Sequence, residues 1–315
     1  MGIKKSRLDT APGGLILFNK KEGITSFDAL AEIKRALETG KVGHTGTLDK
    51  FARGLMPVLC GKALKLARWF SHCDKQYEGR IFFGVETATL DPEGEITARA
   101  AFPDKNIIES VLPRFTGNIM QAPPVFSAIK LNGQRASDMA RLGQAPEMKK
   151  RPVMIYKLEL RGWQPPYADI FVHCSSGTYV RSLARDIALA AGTRAHLYAL
   201  KRIKVAGFEL SENEAFSDKA YNFPLMRVNR EVILKLGLSL FELSEFYKEH
   251  IIHGKDLSRI LNINELKKPV SSYHPLNFPD YDNNGQNLTA ALFAKDELLA
   301  IVEKINGKWK YGCVM

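Results

Sequence analysis

Apolar positions along this chain repeat with two different spacings, which predict interleaved strands and helices. Strands are predicted where apolar side chains run together or alternate, at 13–19, 77–85, 170–174 and 197–210. Helices are predicted where the spacing is three or four residues, at about 26–37, 61–70, 104–116 and 180–191. Thr25 with Asp28 is a typical capping pattern for the first of these helices, and Gly40 is a typical stop.

The pattern changes near residue 238, where we place a boundary between a domain at 1–238 and a small module at 239–315. The module is predicted to contain a helix, a polar loop and three strands, at 242–252, 267–287, 290–294, 298–305 and 309–314. Asn306-Gly307 lies between the last two strands and is a strong hairpin signal. The module should therefore be rich in β structure.

Residues 41–61 interrupt the regular pattern with glycines, threonines and a proline, and we predict a loop there. One carboxylate, Asp49, lies in its middle, ahead of the apolar run at 55–59. Glycines allow tight turns and a close approach of a ligand to the backbone. Asp49 is therefore a candidate catalytic group, although ordinary surface loops have the same composition.

Charge changes the picture of possible partners. Lysine and arginine outnumber aspartate and glutamate by 45 to 34, which gives a net charge of +11. Such an excess favours RNA or DNA through phosphate neutralisation, and a merely basic protein is the alternative. The four cysteines are far apart in the chain, which indicates reduced thiols rather than disulfides or a zinc site. With no membrane-length apolar run, we expect a cytoplasmic protein without membrane contact.

Positive charge is concentrated in residues 124–152, where six lysines and arginines stand against Asp138 and Glu147. We interpret this stretch as an irregular basic arm with one short helix near 136–142. It is either an RNA clamp or a solvated surface loop, and the charge of the whole chain favours the clamp.

Arg181 falls in the first turn of the helix predicted at 180–191. The helix dipole favours negative charge at that end, so a cation there should have an anion to meet. A surface arginine that points to water is the alternative.

The loop sequence Gly43-His-Thr-Gly-Thr-Leu-Asp49, with Gly54-Leu-Met-Pro-Val58 after it, resembles the catalytic motif of the bacterial tRNA pseudouridine synthase B (TruB-type) family. Four more segments resemble motifs of that family in the same order: Leu17-Phe-Asn-Lys20 with Gly23-Ile-Thr-Ser26, Lys75-Gln-Tyr77-Glu, Cys174-Ser-Ser-Gly-Thr-Tyr-Val-Arg181, and Ala195-His-Leu-Tyr-Ala-Leu200-Lys-Arg202. The resemblance spans residues 13–210. A weaker one relates 240–315 to a small RNA-binding PUA-like module.

The resemblance implies an α+β fold with a central mixed or antiparallel sheet and a thumb inserted at about 124–152. It implies isomerisation of the T-loop uridine of tRNA (position 55) to pseudouridine, by base flipping and an aspartate-dependent break and re-formation of the glycosidic bond. Such a reaction needs neither a redox cofactor nor a metal, and we expect none. The expected partner is the T stem-loop of tRNA, without an obligatory protein partner, and the protein is expected to be a monomer.

By the same resemblance Asp49 is the catalytic residue, acting as a nucleophile or as a base toward the ribose. Arg181 is the matching position for an ion pair with it. A bidentate arginine would fix the direction of the carboxylate and keep its pKa low, because only the ionised form can act.

Four further residues match substrate-binding positions of the family. Tyr77 would stack on the flipped base and assist proton removal at carbon, and Leu200 would form an apolar wall on the other side of the base. His44 would fill or brace the space that the base leaves, although a loop histidine bonded to backbone is the alternative. Lys20 would structure the pocket or meet a phosphate.

Three positions depart from the family pattern. Lys50 and Lys21 stand where the family usually has proline, and Arg53 stands where the residue is more often small or polar. These departures place additional cations beside the expected RNA site.

A non-catalytic tRNA-binding or RNA-folding protein on the same fold is the main alternative, because the charge and the basic arm suit it equally well. Asp49 together with Arg181 and Tyr77 favours the enzyme, since a binding protein has no use for a buried carboxylate that faces RNA. Phosphoryl transfer is a weaker alternative, because the chain has no Gly-x-x-x-x-Gly-Lys-Ser/Thr loop.

Overall fold

The computed structural model describes residues 13–144, 146–210, 224–257 and 289–315. The loop predicted at 267–287 lies outside these ranges. None of the helices within them is both long enough and apolar enough to cross a lipid bilayer.

Strands and short helices interleave along the described chain, as the two apolar spacings predicted. The strands are β1 (Gly14–Lys20), β2 (Val42–His44), β3 (Arg53–Cys60), β4 (Lys75–Phe83), β5 (Val85–Thr87), β6 (Ile96–Arg99), β7 (Gly117–Gln121), β8 (Lys130–Leu131), β9 (Gln134–Arg135), β10 (Arg151–Gln164), β11 (Tyr167–Cys174), β12 (Ala195–Val205), β13 (Phe208–Glu209), β14 (Met226–Arg227), β15 (Ser239–Glu242), β16 (Thr289–Ala294), β17 (Glu297–Ile305) and β18 (Lys308–Val314). The α-helices are α1 (Ser26–Ala36), α2 (Ala67–His72), α3 (Lys105–Val111), α4 (Ala136–Arg141), α5 (Val180–Ala190), α6 (Arg230–Lys235) and α7 (Lys248–Ile252), with 3₁₀ helices at Gly61–Leu66, Leu112–Phe115 and Glu245–Tyr247.

A large mixed sheet forms the centre of the protein. Its strand order is β14-β1-β3-β12-β4-β11-β10-β7, with β2 added beside β3 and β13 beside β12. Neighbouring strands are antiparallel except β3 and β12, which run parallel. The expected α+β class with a central mixed sheet is confirmed, and the one parallel pair lies in the middle of the sheet, next to the segment that carries Asp49.

Helix α1 shows how local sequence forms one of these elements. The Thr25 side chain accepts a hydrogen bond from the backbone N–H of Asp28, whose carboxylate accepts in return from the backbone N–H of Thr25. Ala29 and Ile33 are fully buried against the sheet. Phe27, the second residue of the helix, points to solvent instead, with 74% of its surface exposed.

The prediction of a loop at 41–61 was largely wrong. Strands β2 and β3 occupy most of it and pair antiparallel with each other, and β3 is buried along nearly its whole length. Only residues 45–52 form a connection between them. The glycines of this segment suggested a loop, but Gly54 lies within β3 at φ +107° because the backbone of Arg202 passes so close that a Cβ would lie 2.3 Å from its carbonyl oxygen.

Helix α5 packs across β4, β11 and β12 and closes the main core. Leu183 and Ile187 of the helix are fully buried against Ile81 and Leu197 of the sheet. The helix begins at Val180, as its apolar spacing predicted, so Arg181 lies in its first turn. The core therefore fixes the direction in which the Arg181 side chain leaves the helix.

The C-terminal residues form a separate four-stranded sheet in the order β15-β16-β17-β18. The predicted hairpin at Asn306-Gly307 is present, with φ angles of +52° and +75° at the two turn residues. A second apolar cluster joins this sheet to the first domain, with Phe293 and Ile301 packed in the same core as Leu59 and Phe70. The β-rich character of the module is confirmed, while the boundary at 238 stays a prediction.

Candidate active site

Asp49 lies in the connection between β2 and β3, and its neighbours anchor that connection on both sides. Leu48, Phe51 and Ala52 are buried in the main core. The Ser26 hydroxyl donates to the Leu48 carbonyl at 2.9 Å and accepts from its N–H at 3.0 Å. The backbone on either side of Asp49 is therefore held in place, although 36% of the Asp49 side chain is exposed.

The structure brings Asp49 and Arg181 together, 132 residues apart in the chain. Arg181 Nε lies 2.9 Å from Asp49 Oδ2, and Arg181 Nη2 donates to Asp49 Oδ1 at 3.2 Å. This two-point contact fixes the plane of the carboxylate as well as its position. An anion thus accounts for the cation in the first turn of α5, and the surface-arginine alternative is wrong.

A second carboxylate, Asp91, contacts the same guanidinium. Arg181 Nη1 lies 3.0 Å from Asp91 Oδ2 and donates to the Thr89 carbonyl at 2.8 Å, while Nη2 also donates to the Phe126 carbonyl at 3.1 Å. The guanidinium is buried with 7% of the side chain exposed. Its single positive charge is therefore divided between two acids, and its position is determined by four partners.

Burial raises the pKa of Asp49 above its ordinary value; Arg181 opposes this shift and Asp91 adds to it. The expectation that the ion pair keeps this pKa low was wrong. Desolvation penalises the charged carboxylate, and the arginine compensates incompletely because it is shared with Asp91. Asp49 is therefore a stronger base, once ionised, than an ordinary surface aspartate.

Tyr77 and Leu200 lie on adjacent strands beside this pair. Tyr77 is buried in β4, and burial raises the pKa of its phenol to about 12. Leu200 is buried in β12, opposite Gly79 on β4. Both side chains belong to the same apolar cluster as Leu48, the residue before Asp49.

His44 is the last residue of β2 and lies opposite Val58 of β3. Its Nδ1 atom is buried and has no hydrogen-bond partner among the described residues. Burial lowers the pKa of His44, and the charge of Arg202 lowers it further, so both effects favour the neutral ring. The alternative of a histidine bonded to the backbone is not supported at Nδ1.

Lys20 is a fully buried lysine at the end of β1. Its ammonium group donates to the carbonyls of Lys21 at 2.9 Å, Ile24 at 2.7 Å and Lys50 at 3.4 Å. Burial lowers its pKa to about 8, and the charge of Asp49 opposes the shift. Of the two roles that were open, this geometry favours structuring of the pocket, because the ammonium is occupied by the backbone next to Asp49.

Two buried charged residues near the pocket were not singled out in the sequence. Asp91 lies in a turn-rich connection that gave no motif, and the left-handed backbone of Leu90 before it has no sequence signal. Arg202 was quoted only as the last residue of the segment 195–202, without a role of its own. The sequence signal that could have identified it is the two-residue period of a strand, which places Arg202 on the same face as Leu200.

The basic arm approaches the pocket and carries exposed cations. It contains β8, β9 and α4, and the short helix predicted near 136–142 is confirmed as Ala136–Arg141. The six lysines and arginines of this stretch are all exposed: Lys130, Arg135, Arg141, Lys149, Lys150 and Arg151. The Phe126 carbonyl, at the base of the arm, contacts Arg181 directly.

Among the described residues, no three His, Cys, Asp or Glu side chains form a group that could hold a metal ion. The four cysteines are free thiols.

Solved structures with the same architecture include a chain of a Cbf5–Nop10–Gar1 complex, with a TM-score of 0.65 and 22% identity over 97% of this chain and 81% of that one. A chain of an H/ACA ribonucleoprotein bound to a substrate RNA containing 2′-deoxyuridine gives a TM-score of 0.65 and 20% identity, over 93% of this chain and 78% of that one. The fold of this chain is therefore shared with both of these solved structures.

Sequence comparison identifies the family of this chain. The model of the TruB family pseudouridylate synthase (N terminal domain) matches residues 34–180. A tRNA pseudouridine synthase B of Treponema denticola is 42% identical over 256 residues, which cover 75% of this chain and 71% of the relative. One of Francisella tularensis is 42% identical over 67% of this chain and 70% of the relative. The chain belongs to the TruB family of pseudouridylate synthases, and the resemblance found in the sequence is confirmed.

Proposed function

We propose that this protein isomerises a uridine of tRNA to pseudouridine, at position 55 in the T loop, with Asp49 as the catalytic carboxylate. The observation that carries the proposal is the two-point contact of Asp49 with the buried Arg181. Relatives that are 42% identical are tRNA pseudouridine synthases B, which supports the reaction and the class of substrate.

The reaction detaches the uracil from the ribose, turns it and joins it again through carbon. Asp49 acts in its ionised form on the ribose, either as the nucleophile or as the base. Arg181 holds the carboxylate in one orientation, so little further conformational entropy is lost when the transition state forms. The raised pKa of Asp49 suits both roles, since a carboxylate of higher pKa has a higher affinity for protons and carbon centres.

The base must leave its stack before it can react, at a cost of about a few kcal/mol. In our proposal Tyr77 receives the flipped uracil on its ring and assists proton removal at carbon, and Leu200 covers the other face. His44 occupies the space that the base vacates. Its neutral ring and free Nδ1 suit that position, because a neutral imidazole can donate to or accept from nucleic acid groups.

The exposed cations of the arm at 124–152 are proposed to hold the T stem-loop through its phosphates. Shape and phosphate contacts position folded RNA, while splayed loop bases are recognised in pockets. The link from Phe126 to Arg181 gives the arm a contact with the catalytic pair, so that RNA binding and the pocket are coupled.

A non-catalytic RNA-binding role is not favoured. A carboxylate whose pKa is raised by burial, fixed against a buried arginine and a second acid, is a costly arrangement that binding alone does not require. The cytoplasmic location, the division at residue 238, the PUA-like character of the C-terminal module and the monomeric state stay predictions.

The test is tritium release from carbon-5-labelled uridine in a tRNA transcript, with the parent protein and an Asp49→Asn variant. We expect the parent to release label from the T-loop uridine alone and the variant to release none while it binds tRNA normally. A transcript with adenosine at position 55 is the control for the position. Binding by both proteins without release from either would refute the enzyme, and release by the variant would refute the role of Asp49.

A further inference from the structure

Arg202 is one of the largest fully buried side chains of the protein, with 2% of its surface exposed. Within the described part of the chain, no carboxylate lies at ion-pair distance from it. Its N–H groups donate instead to backbone carbonyls: Nε to Leu55 at 2.7 Å, Nη2 to Gly46 at 3.1 Å and Nη1 to Thr47 at 3.5 Å. A buried cation without a counter-charge is unfavourable for stability, so its presence calls for another explanation.

The carbonyls that Arg202 binds lie on both sides of Asp49 in the chain. Gly46 and Thr47 precede the acid and Leu55 follows it, so one planar guanidinium fastens both ends of the connection that carries the carboxylate. The parallel pairing of Arg202 with Gly54 brings β12 and β3 into the close contact described above. A guanidinium can make these contacts together because its donors form a rigid fork.

Arg202 also lies directly opposite Tyr77, across the antiparallel pair of β12 and β4. Cross-strand partners of this kind project from the same face of the sheet, within contact distance. The charge of Arg202 and a hydrogen bond from its guanidinium both lower the pKa of Tyr77, against the larger effect of burial, which raises it. Arg202 therefore binds the backbone on both sides of Asp49 and also lies beside Tyr77.

We propose that Arg202 is a positioning residue that ties the Asp49 connection and the Tyr77 ring into one fixed unit and supports negative charge on the Tyr77 oxygen. It does not contact the substrate. The proposal rests on the function proposed above, in which Tyr77 assists proton removal at carbon 5 after the new carbon–carbon bond has formed. The phenolate form of Tyr77 accepts that proton. Tyr77 must first lose its phenol proton to solvent, and a cation held at its oxygen in a dry pocket lowers the cost of that loss more than it would in water.

The experiment measures single-turnover pseudouridine formation by the parent, Arg202→Gln and Arg202→Lys, on tRNA that carries hydrogen or deuterium at carbon 5 of its uridines. We expect Arg202→Gln to lower the rate on the order of 10²-fold, since misplacement of a catalytic group by about 1 Å has such an effect. Its deuterium isotope effect should exceed that of the parent, because proton removal becomes the slow step. Arg202→Lys keeps the charge and should recover part of the rate.

Lys75→Met is the matched control. Lys75 is another buried cation, and its ammonium group donates to the carbonyls of Ser71 at 3.0 Å and Cys73 at 2.5 Å. Its removal should alter stability but not the isotope effect. The affinity for tRNA and the thermal unfolding of every variant are measured alongside, to separate a loss of folding from a loss of positioning.

A rate of Arg202→Gln within threefold of the parent, or a loss of rate with an unchanged isotope effect, would overturn the positioning role. If Arg202→Gln does not fold, Arg202→Lys decides, and a folded lysine variant with the parent's rate and isotope effect would overturn it as well. An inactive parent would instead refute the proposed function, so the two failures are distinguishable.

Discussion

The central pocket and the C-terminal sheet use charge in opposite ways. At the pocket, Arg181 and Asp91 form an ion pair with only 7% and 6% of their side chains exposed. In the C-terminal sheet, Lys248 and Glu297 pair at the surface, while the interior contains apolar residues such as Leu292 and Val302. One region keeps ions inside the protein and the other keeps them at its boundary with water.

The difference separates charges that serve chemistry from charges that serve solubility. Buried charges shift the pKa values of their neighbours, and the directions oppose one another at Asp49, where burial and Arg181 compete. Surface pairs are screened by water and salt and contribute little to stability. Substitutions in the two regions should therefore differ in kind, with effects on activity in one and almost none in the other.

The largest effect is expected for Arg181→Lys. A lysine cannot reproduce the two-point contact with Asp49 or reach all of the other partners, so we expect the single-turnover rate to fall on the order of 10²–10³-fold. Arg185→Lys is the control, since Arg185 lies one turn further along α5 and pairs with Asp186 at 2.8 Å. Equal losses in the two variants would mean that the helix, rather than the contact with Asp49, determines the rate.

The next effect is a shift of the pH profile in Asp91→Asn. Asp91 raises the pKa of Asp49, so its neutralisation should lower that pKa and leave Arg181 to Asp49 alone. Because the ionised carboxylate is the active form, the acid limb of the rate profile should move to lower pH. Glu93→Gln is the control, with a smaller expected shift, since Glu93 is exposed and its charge affects the pKa of Asp49 less than the charge of Asp91 does. A profile that moves to higher pH would contradict the assignment.

A third effect concerns stability against pH. Burial lowers the pKa of Lys75 to about 8, so the folded protein releases this proton before the unfolded chain, whose lysine has a pKa near 10.5. The unfolded state then binds more protons between these values, and Lys75 makes stability rise with pH in that window. The free energy of unfolding of the parent should increase relative to that of Lys75→Met between pH 8 and 9.5, measured by denaturant titration. A constant difference would show that Lys75 is not buried in its charged form.

The smallest effect is expected in the C-terminal sheet. Lys248→Gln removes a surface ion pair with Glu297, and we expect a change in Tm of less than about 2 °C and an unchanged rate. In high salt the change in Tm should be smaller still, because salt screens the ion pair. A large drop in Tm would mean that this region also depends on its charges, and the contrast with the pocket would not hold.

Local features were predicted well because short-range sequence determines them. The capping box of α1, the start of α5 and the Asn306-Gly307 turn each depend on residues within a few positions of one another. The segment 41–61 was predicted poorly, because its glycines indicated a loop where β3 is buried between β1 and β12. Burial on both faces, which is a tertiary property, determines that strand.

The sequence by itself determined the family, the candidate acid and the arginine expected to meet it, since ordered motifs carry that information in adjacent letters. Only the tertiary structure decided that Asp91 shares Arg181 across 90 positions of the chain, and that Arg202 holds Gly46 across 156. It also decided the direction of the Asp49 pKa shift. These outcomes depend on how much water the packed core excludes and on which charges it brings within a few ångströms of one another. Neither can be predicted from a local stretch of sequence.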